Sequence, residues 1–145
     1  AATSLDDKPV SELHSPKGKK VLYKCRSQDV LHSAYMPHFR AQMNCVPGMI
    51  TEFAFVPTVT TEEIRQTEDM KAKVKKINAI RRENSKALIA NGEEALEPYV
   101  FDYLLLCNKI CGASHYNMQM KIIVETPEEF QKWMDDQQTF AEVIQ

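Results

Sequence analysis

No apolar run in this chain approaches the roughly 18 residues needed to span a bilayer, so no transmembrane helix is expected within it. The opening residues 1–10, AATSLDDKPV, lack a basic n-region and an apolar h-region. No signal peptide is therefore expected there, and any membrane anchor is expected to lie outside the chain. Tryptophan is almost missing, with Trp133 alone. No Ser-His-Asp set and no pair of close carboxylates stands out, which leaves hydrolase chemistry with little support. Aromatic residues do not interleave with the basic ones and no nucleic-acid motif accompanies them, so nucleic acid is not an expected partner.

Within 145 residues, 43% hydrophobic and 26% charged, the composition is that of one folded globular domain rather than a disordered or fibrous chain. Short β-rich stretches dominate both ends: KKVLYKCRS, HSAYMPHF, AQMNCVPG and MITEFAFVP early, then YVFDYLLLC and MQMKIIVETP late. Pro and Gly punctuate them at Pro16-Lys17-Gly18 and Pro47-Gly48, a pattern of closely spaced strands that predicts a sandwich or barrel. One segment departs from it. From Thr60 to Ala90 there is neither Gly nor Pro, and Thr60 with Glu63 has the spacing of a capping box. Met70, Val74, Ile77, Arg81 and Leu88 recur at helical intervals, predicting a long helix that Asn91-Gly92 ends. A shorter helix is expected after Thr126-Pro127, through Glu128, Phe130, Trp133 and Met134.

Charge is unevenly spread. Between Lys71 and Lys86 the net charge is +6, and the rest of the chain carries −8, so the total of −2 hides a separation. Two readings fit this basic stretch: the solvated face of an inserted helix, or a docking surface for an acidic partner or lipid head groups.

The chemistry concentrates in Cys107-Asn108-Lys109-Ile110-Cys111-Gly112-Ala113-Ser114-His115-Tyr116-Asn117-Met118. Two thiols, an imidazole and a thioether within twelve residues make a soft-ligand set, the kind that selects copper over hard cations. Gly112 permits a sharp turn that folds both sulfurs toward one point. Other readings remain open for the loop by itself. C-x3-C-x3-H supplies three ligands suited to zinc. A disulfide between Cys107 and Cys111 is also possible, although it leaves His115 and Met118 without a role. Cys25 and Cys45 lie in apparent strands with no ligand partner in view, and are assigned to the core as small hydrophobes. His32 lies about 75 residues before the loop, at the end of an apparent strand.

Taken in order, Glu12-Leu13-His14 with its following turn, Ser27-Gln28-Asp29-Val30-Leu31-His32-Ser33, Pro47-Gly48 and the C-x3-C-G-x2-H-x2-M run resemble the C-terminal domain of cytochrome c oxidase subunit II. These blocks cover most of the chain outside the long helix. The run CNKICGASHYNM and the helical insertion look similar to the Bacteroidetes branch of that family. The resemblance implies an all-β fold, a cupredoxin-like Greek-key sandwich or barrel, with a long helix inserted over about 60–91 and a short C-terminal helix. The whole of residues 1–145 would be one copper-binding domain, its upstream transmembrane part lying outside the chain. It also implies a binuclear CuA centre of two copper ions. Cys107 and Cys111 would bridge both ions, His32 and His115 would bind one each, Met118 would be a weak axial ligand, and Lys109 would contribute its backbone carbonyl. The implied partners are subunit I and a c-type cytochrome, with the membrane reached only through the parent complex, on the periplasmic face of a bacterial inner membrane. As part of an oxidase, the domain would carry electrons and make no bonds.

Several positions depart from the family pattern. Lys109 stands where a glutamate usually helps to ligate magnesium, and an ammonium cannot coordinate a cation. Gln42 and Asn44 replace a lysine and an aspartate, which puts polar links to subunit I in doubt. By the resemblance, the family's tryptophan-rich electron-entry strand would fall before Ala1, so either the sequence is truncated or entry uses another residue such as Tyr35; Trp133 is expected to serve packing. Two further functions use overlapping ligands: a copper-delivery module, which needs only the loop, and the CuA domain of a nitrous oxide reductase.

Overall fold

Alternating side chains build the strands, because successive residues of an extended chain point to opposite faces. In Val21–Cys25, Val21, Tyr23 and Cys25 turn inward while Leu22 and Lys24 turn to solvent; Thr51–Phe55 repeats the pattern with Thr51, Phe53 and Phe55. A computed structural model describes residues 4–113 and 115–144. It divides into two compact units, Ala1–Thr60 with Tyr103–Gln145, and Thr61–Asp102.

The first unit is a pair of sheets. The strands are β1 (Leu13–Pro16), β2 (Val21–Cys25), β3 (His32–Met36), β4 (Ala41–Cys45), β5 (Thr51–Phe55), β6 (Tyr103–Leu106) and β7 (Gln119–Glu125). Five of them form one sheet in the order β1-β7-β6-β3-β4, and β2 with β5 forms the other. β1 runs parallel to β7 with Leu13 opposite Ile122, while the remaining neighbours are antiparallel. Met36, Ala34, Tyr103, Ile122 and Val124 are buried at the centre. Aromatic contacts of Phe39 join the sheets, its ring lying 4.6 Å from Phe55 and 4.7 Å from Tyr103, while Tyr23 and Phe53 stack at 5.1 Å within the smaller sheet. Such contacts contribute about 0.5–1.5 kcal/mol each beyond the area they bury. This is the expected sandwich, and it holds the strand ends that carry the functional side chains.

In the second unit the predicted helix is divided. A short α1 (Thr61–Gln66) precedes α2 (Glu68–Ala90). The break lies at Thr67, whose extended backbone lets its hydroxyl accept from the Met70 N–H, giving α2 its own N-cap. The other end is as predicted: Gly92 takes φ +80° after Asn91 and terminates the helix. The return segment is strapped to α2 by side-chain bonds to its backbone. Asn78 bonds both the N–H and the carbonyl of Tyr99, Arg81 donates to the Glu97 carbonyl, and Ser85 accepts from Leu96 N–H.

After β7 comes α3 (Pro127–Asp136), with Pro127 in its first turn and a reciprocal capping box between Thr126 and Glu129. A final turn, α4 (Phe140–Val143), is tied to the N-terminal segment through Phe140 N–H to Asp7 O and Ala141 N–H to Leu5 O. Trp133 stacks on the His14 ring at 4.0 Å, which matches the packing role expected of it. Among the described residues, no helix is long and apolar enough to cross a membrane.

Candidate metal centre

Three neighbouring strands bring their ends together at one end of the larger sheet. His32 opens β3, Cys107 follows β6 directly, and the loop from Cys107 returns into β7 after Met118. β3 and β6 are adjacent through Tyr35 and Leu106, so the histidine strand and the cysteine loop meet although 75 residues separate His32 from Cys107. The loop closes on itself. Cys107 N–H donates to the Met118 carbonyl, His115 N–H to Gly112 O and Met118 N–H to His115 O. Gly112 has φ +148°, where a side chain would strain the backbone even though space surrounds it.

These constraints bring all six candidate residues together. Cys107 Sγ lies 3.9 Å from His32 Nδ1, 3.7 Å from Cys111 Sγ and 3.3 Å from the Lys109 carbonyl oxygen. Cys111 Sγ lies 3.4 Å from His115 Nδ1 and 3.2 Å from Met118 Sδ. A separation of 3.7 Å is far beyond a disulfide bond of about 2.05 Å, so the two sulfurs are thiols available to an ion. Among the described residues, His32, Cys107 and Cys111 form the one group of three such ligands whose atoms lie close enough to hold a metal, within 4.8 Å of one another. A cavity of about 280 Å³, lined chiefly by Leu105, Leu106, Met120 and Met118, opens beside His32 and Cys107.

Electrostatics prepares these donors. Burial works to raise the Cys107 thiol, but hydrogen bonds with the Lys109 and Ser33 backbone and with His32 and Cys111 outweigh it and hold the group at about 6. Burial and the adjoining Cys107 sulfur push the Cys111 thiol up. The pair therefore gives up its first proton easily and keeps the second until a cation arrives. Asp29 is the outer partner that sequence reasoning did not identify. Its carboxylate lies 2.8 Å from His32 Nε2; the His32 hydrogen bond, then that of the Val30 backbone, holds it down to about 2. An ionised carboxylate can only accept, so His32 Nε2 carries the hydrogen and the Nδ1 lone pair is left facing Cys107. The His32 ring is raised in turn, first by Asp29 and then by Cys107.

The donor set fits a soft or borderline ion: two thiols, two imidazoles, a thioether and one carbonyl, with the nearest carboxylate engaged by a histidine. The Lys109 side chain is exposed and takes no part in the cluster. Gln42 bridges β4 to the loop, donating to Ser33 Oγ at 3.3 Å and to Asn108 Oδ1 at 3.4 Å. One sequence expectation changes. Cys25 and Cys45 were expected to be isolated core thiols; they are half-buried and in contact with each other.

Comparison with known proteins follows the same direction. The chain is 35% identical over 130 residues to the alternative cytochrome c oxidase subunit 2 of Bradyrhizobium diazoefficiens, matching 90% of this chain and 32% of that protein. It is 28% identical over 130 residues to the cytochrome c oxidase subunit 2 of Thermostichus vulcanus, matching 90% of this chain and 27% of that protein. The chain thus spans about a third or less of the length of these curated relatives. The crystal structure of the periplasmic domain of subunit II of cytochrome oxidase from Bradyrhizobium japonicum shares the fold, with a TM-score of 0.55 at 18% identity over 86% of this chain and 61% of that one. No protein-family model matches the chain.

Proposed function

We propose, from the premise that this chain belongs to the cytochrome c oxidase subunit II family, that it is the electron-transfer domain of a haem-copper oxidase and holds a binuclear CuA centre. In this reading the domain accepts electrons from a c-type cytochrome and passes them to haem a of subunit I, on the periplasmic face of a bacterial inner membrane. The copper-binding domain takes in the whole chain, with residues 61–102 as an insertion in it. One observation carries the reading: six donors from two distant parts of the chain form a continuous cluster around two thiols 3.7 Å apart.

Cys107 and Cys111 through their sulfurs, His32 and His115 through Nδ1, Met118 through Sδ and Lys109 through its carbonyl would hold the two ions. When bound, such a copper pair would supply one-electron exchange. The protein's share is to keep the donors still and the thiols ionised. β3, β6 and β7 anchor both ends of the ligand set through ladder hydrogen bonds, and Asp29 fixes the His32 ring. The hydrogen bonds that hold Cys107 at about 6 favour its thiolate, so little free energy is spent on deprotonating it. Ile110 stands 95% exposed at the tip of the loop. A bare aliphatic side chain between two ligand cysteines suits burial against a partner protein, and subunit I is the partner proposed.

Metal analysis of the copper-reconstituted chain tests this. Two coppers per chain are expected, with loss of the pair in Cys111→Ser, since a hydroxyl is harder and far less acidic than a thiol. Two coppers retained in that variant would refute the ligand assignment.

A further inference from the structure

Two thiols outside the ligand cluster face each other across the two sheets. Cys25 ends β2 and Cys45 ends β4. Two residues beyond each of them, Ser27 and Pro47 form an isolated parallel bridge. Residues an equal number of steps from a parallel bridge remain opposite one another, and a step of two returns each side chain to the same face. The bridge therefore brings Cys25 and Cys45 to the same side of neighbouring segments. The side chains are in hydrogen-bond contact, and burial together with the Cys45 thiol pushes Cys25 up to about 11. Both residues are half-buried, so a small oxidant can reach them. On their other sides, Cys25 is laddered to Thr51 and Cys45 to His32.

We propose that Cys25 and Cys45 form a redox-closable disulfide that staples β2 of the smaller sheet to β4 of the larger one, directly beside the strand that presents His32. The oxidant is a disulfide of the thiol-exchange class, such as glutathione disulfide. One cysteine attacks it, forming a mixed disulfide and releasing the first thiol. The second cysteine attacks the mixed disulfide and releases the other. Two electrons pass from the cysteine pair to the oxidant, and the two cysteine protons end on the two released thiols. The Cys25 thiol, pushed up by burial, is a poor leaving group, so the closed bond resists attack that would expel it.

Closure has two consequences for the neighbouring site. It fixes β4, whose Cys45 lies opposite His32 in the ladder. It also withdraws a soft sulfur from the cavity that Cys45 lines together with Cys107 and Met118, where a free thiol would compete for an incoming soft cation. The proposal does not depend on copper being the ion bound there.

The test uses the full chain with Cys107→Ser and Cys111→Ser, in which Cys25 and Cys45 are the remaining cysteines. After equilibration in a glutathione redox buffer and quenching with N-ethylmaleimide, the expected product is a monomer lighter by two hydrogen atoms, carrying no maleimide, with a Cys25–Cys45 peptide in its digest. Alkylation of both thiols, a stable glutathione adduct or an intermolecular dimer would overturn the proposal. The unsubstituted chain, mapped in the same way, removes dependence on the folding of the variant. It should also yield the Cys25–Cys45 peptide, whereas a Cys45–Cys107 peptide in its place would overturn the proposal.

Discussion

Replacing Asp29 by asparagine preserves the size of the side chain and removes its charge, isolating its effect on His32. The carboxylate lies 2.8 Å from His32 Nε2 and can only accept, which fixes both the tautomer and the ring direction. An amide can present either a donor or an acceptor to Nε2, so both are released. Loss of the outer partner of a metal-binding histidine typically weakens affinity about 10- to 100-fold. Here the Asp29 side chain is 68% exposed, so solvent already screens its charge. The expected loss therefore falls at the lower end, roughly 10-fold. A second effect has the opposite sign. Asp29 raises the His32 pKa, and copper must displace the proton that this retains. Asp29→Asn lowers the His32 pKa and shifts the onset of copper loading to lower pH. Competition with a copper chelator, from mildly acidic to neutral pH, reads both. Unchanged affinity with an unchanged onset would refute the orienting role. A loss as large as that of His32→Ala would make Asp29 a ligand.

In the reduced metal-free chain, thiol alkylation should separate Cys107, held at about 6, from Cys25, pushed up to about 11. At mildly alkaline pH the thiolate fractions differ about 3000-fold and intrinsic nucleophilicity recovers part of that, leaving Cys107 roughly 20-fold faster by mass-spectrometric labelling. Equal rates would contradict the electrostatics of the loop. Gly112→Ala forces a side chain into φ +148° without a clash, a backbone cost of about 1–3 kcal/mol. It should weaken copper loading and lower the unfolding temperature of the metal-free chain by several degrees at most; unchanged copper loading would show that the loop accepts a side chain there. Lys109→Ala removes an exposed side chain but keeps the carbonyl 3.3 Å from Cys107 Sγ, so copper stoichiometry should not change, and loss of metal would show that the side chain takes part.

The parts of the site that sequence revealed are those whose chemistry is local. Cys107, Cys111, His115 and Met118 share one loop, and soft side chains so close together have few structural explanations. His32 gained its meaning from the surrounding segment, since a histidine in an apolar strand is by itself unremarkable. Asp29 was harder to see: an aspartate three residues before a histidine is ordinary until the turn brings them to 2.8 Å. The helical stripe of Val74, Ile77, Arg81 and Leu88 was legible from its period, but the break at Thr67 was not. A threonine shows itself as a cap only when its hydroxyl meets an N–H, here that of Met70. Long-range register was the least legible. Neither the parallel pairing of β1 with β7 nor the approach of Cys25 to Cys45 is encoded in any local pattern, because both follow from how distant strands stack.

The central claim is that two thiols and two imidazoles hold two copper ions as one electronic unit. Frozen-solution EPR of the copper-reconstituted chain tests it most directly. One unpaired electron shared over two copper nuclei produces a seven-line hyperfine pattern, and that is the predicted result. A four-line pattern, in which the electron stays on a single copper, would contradict the claim.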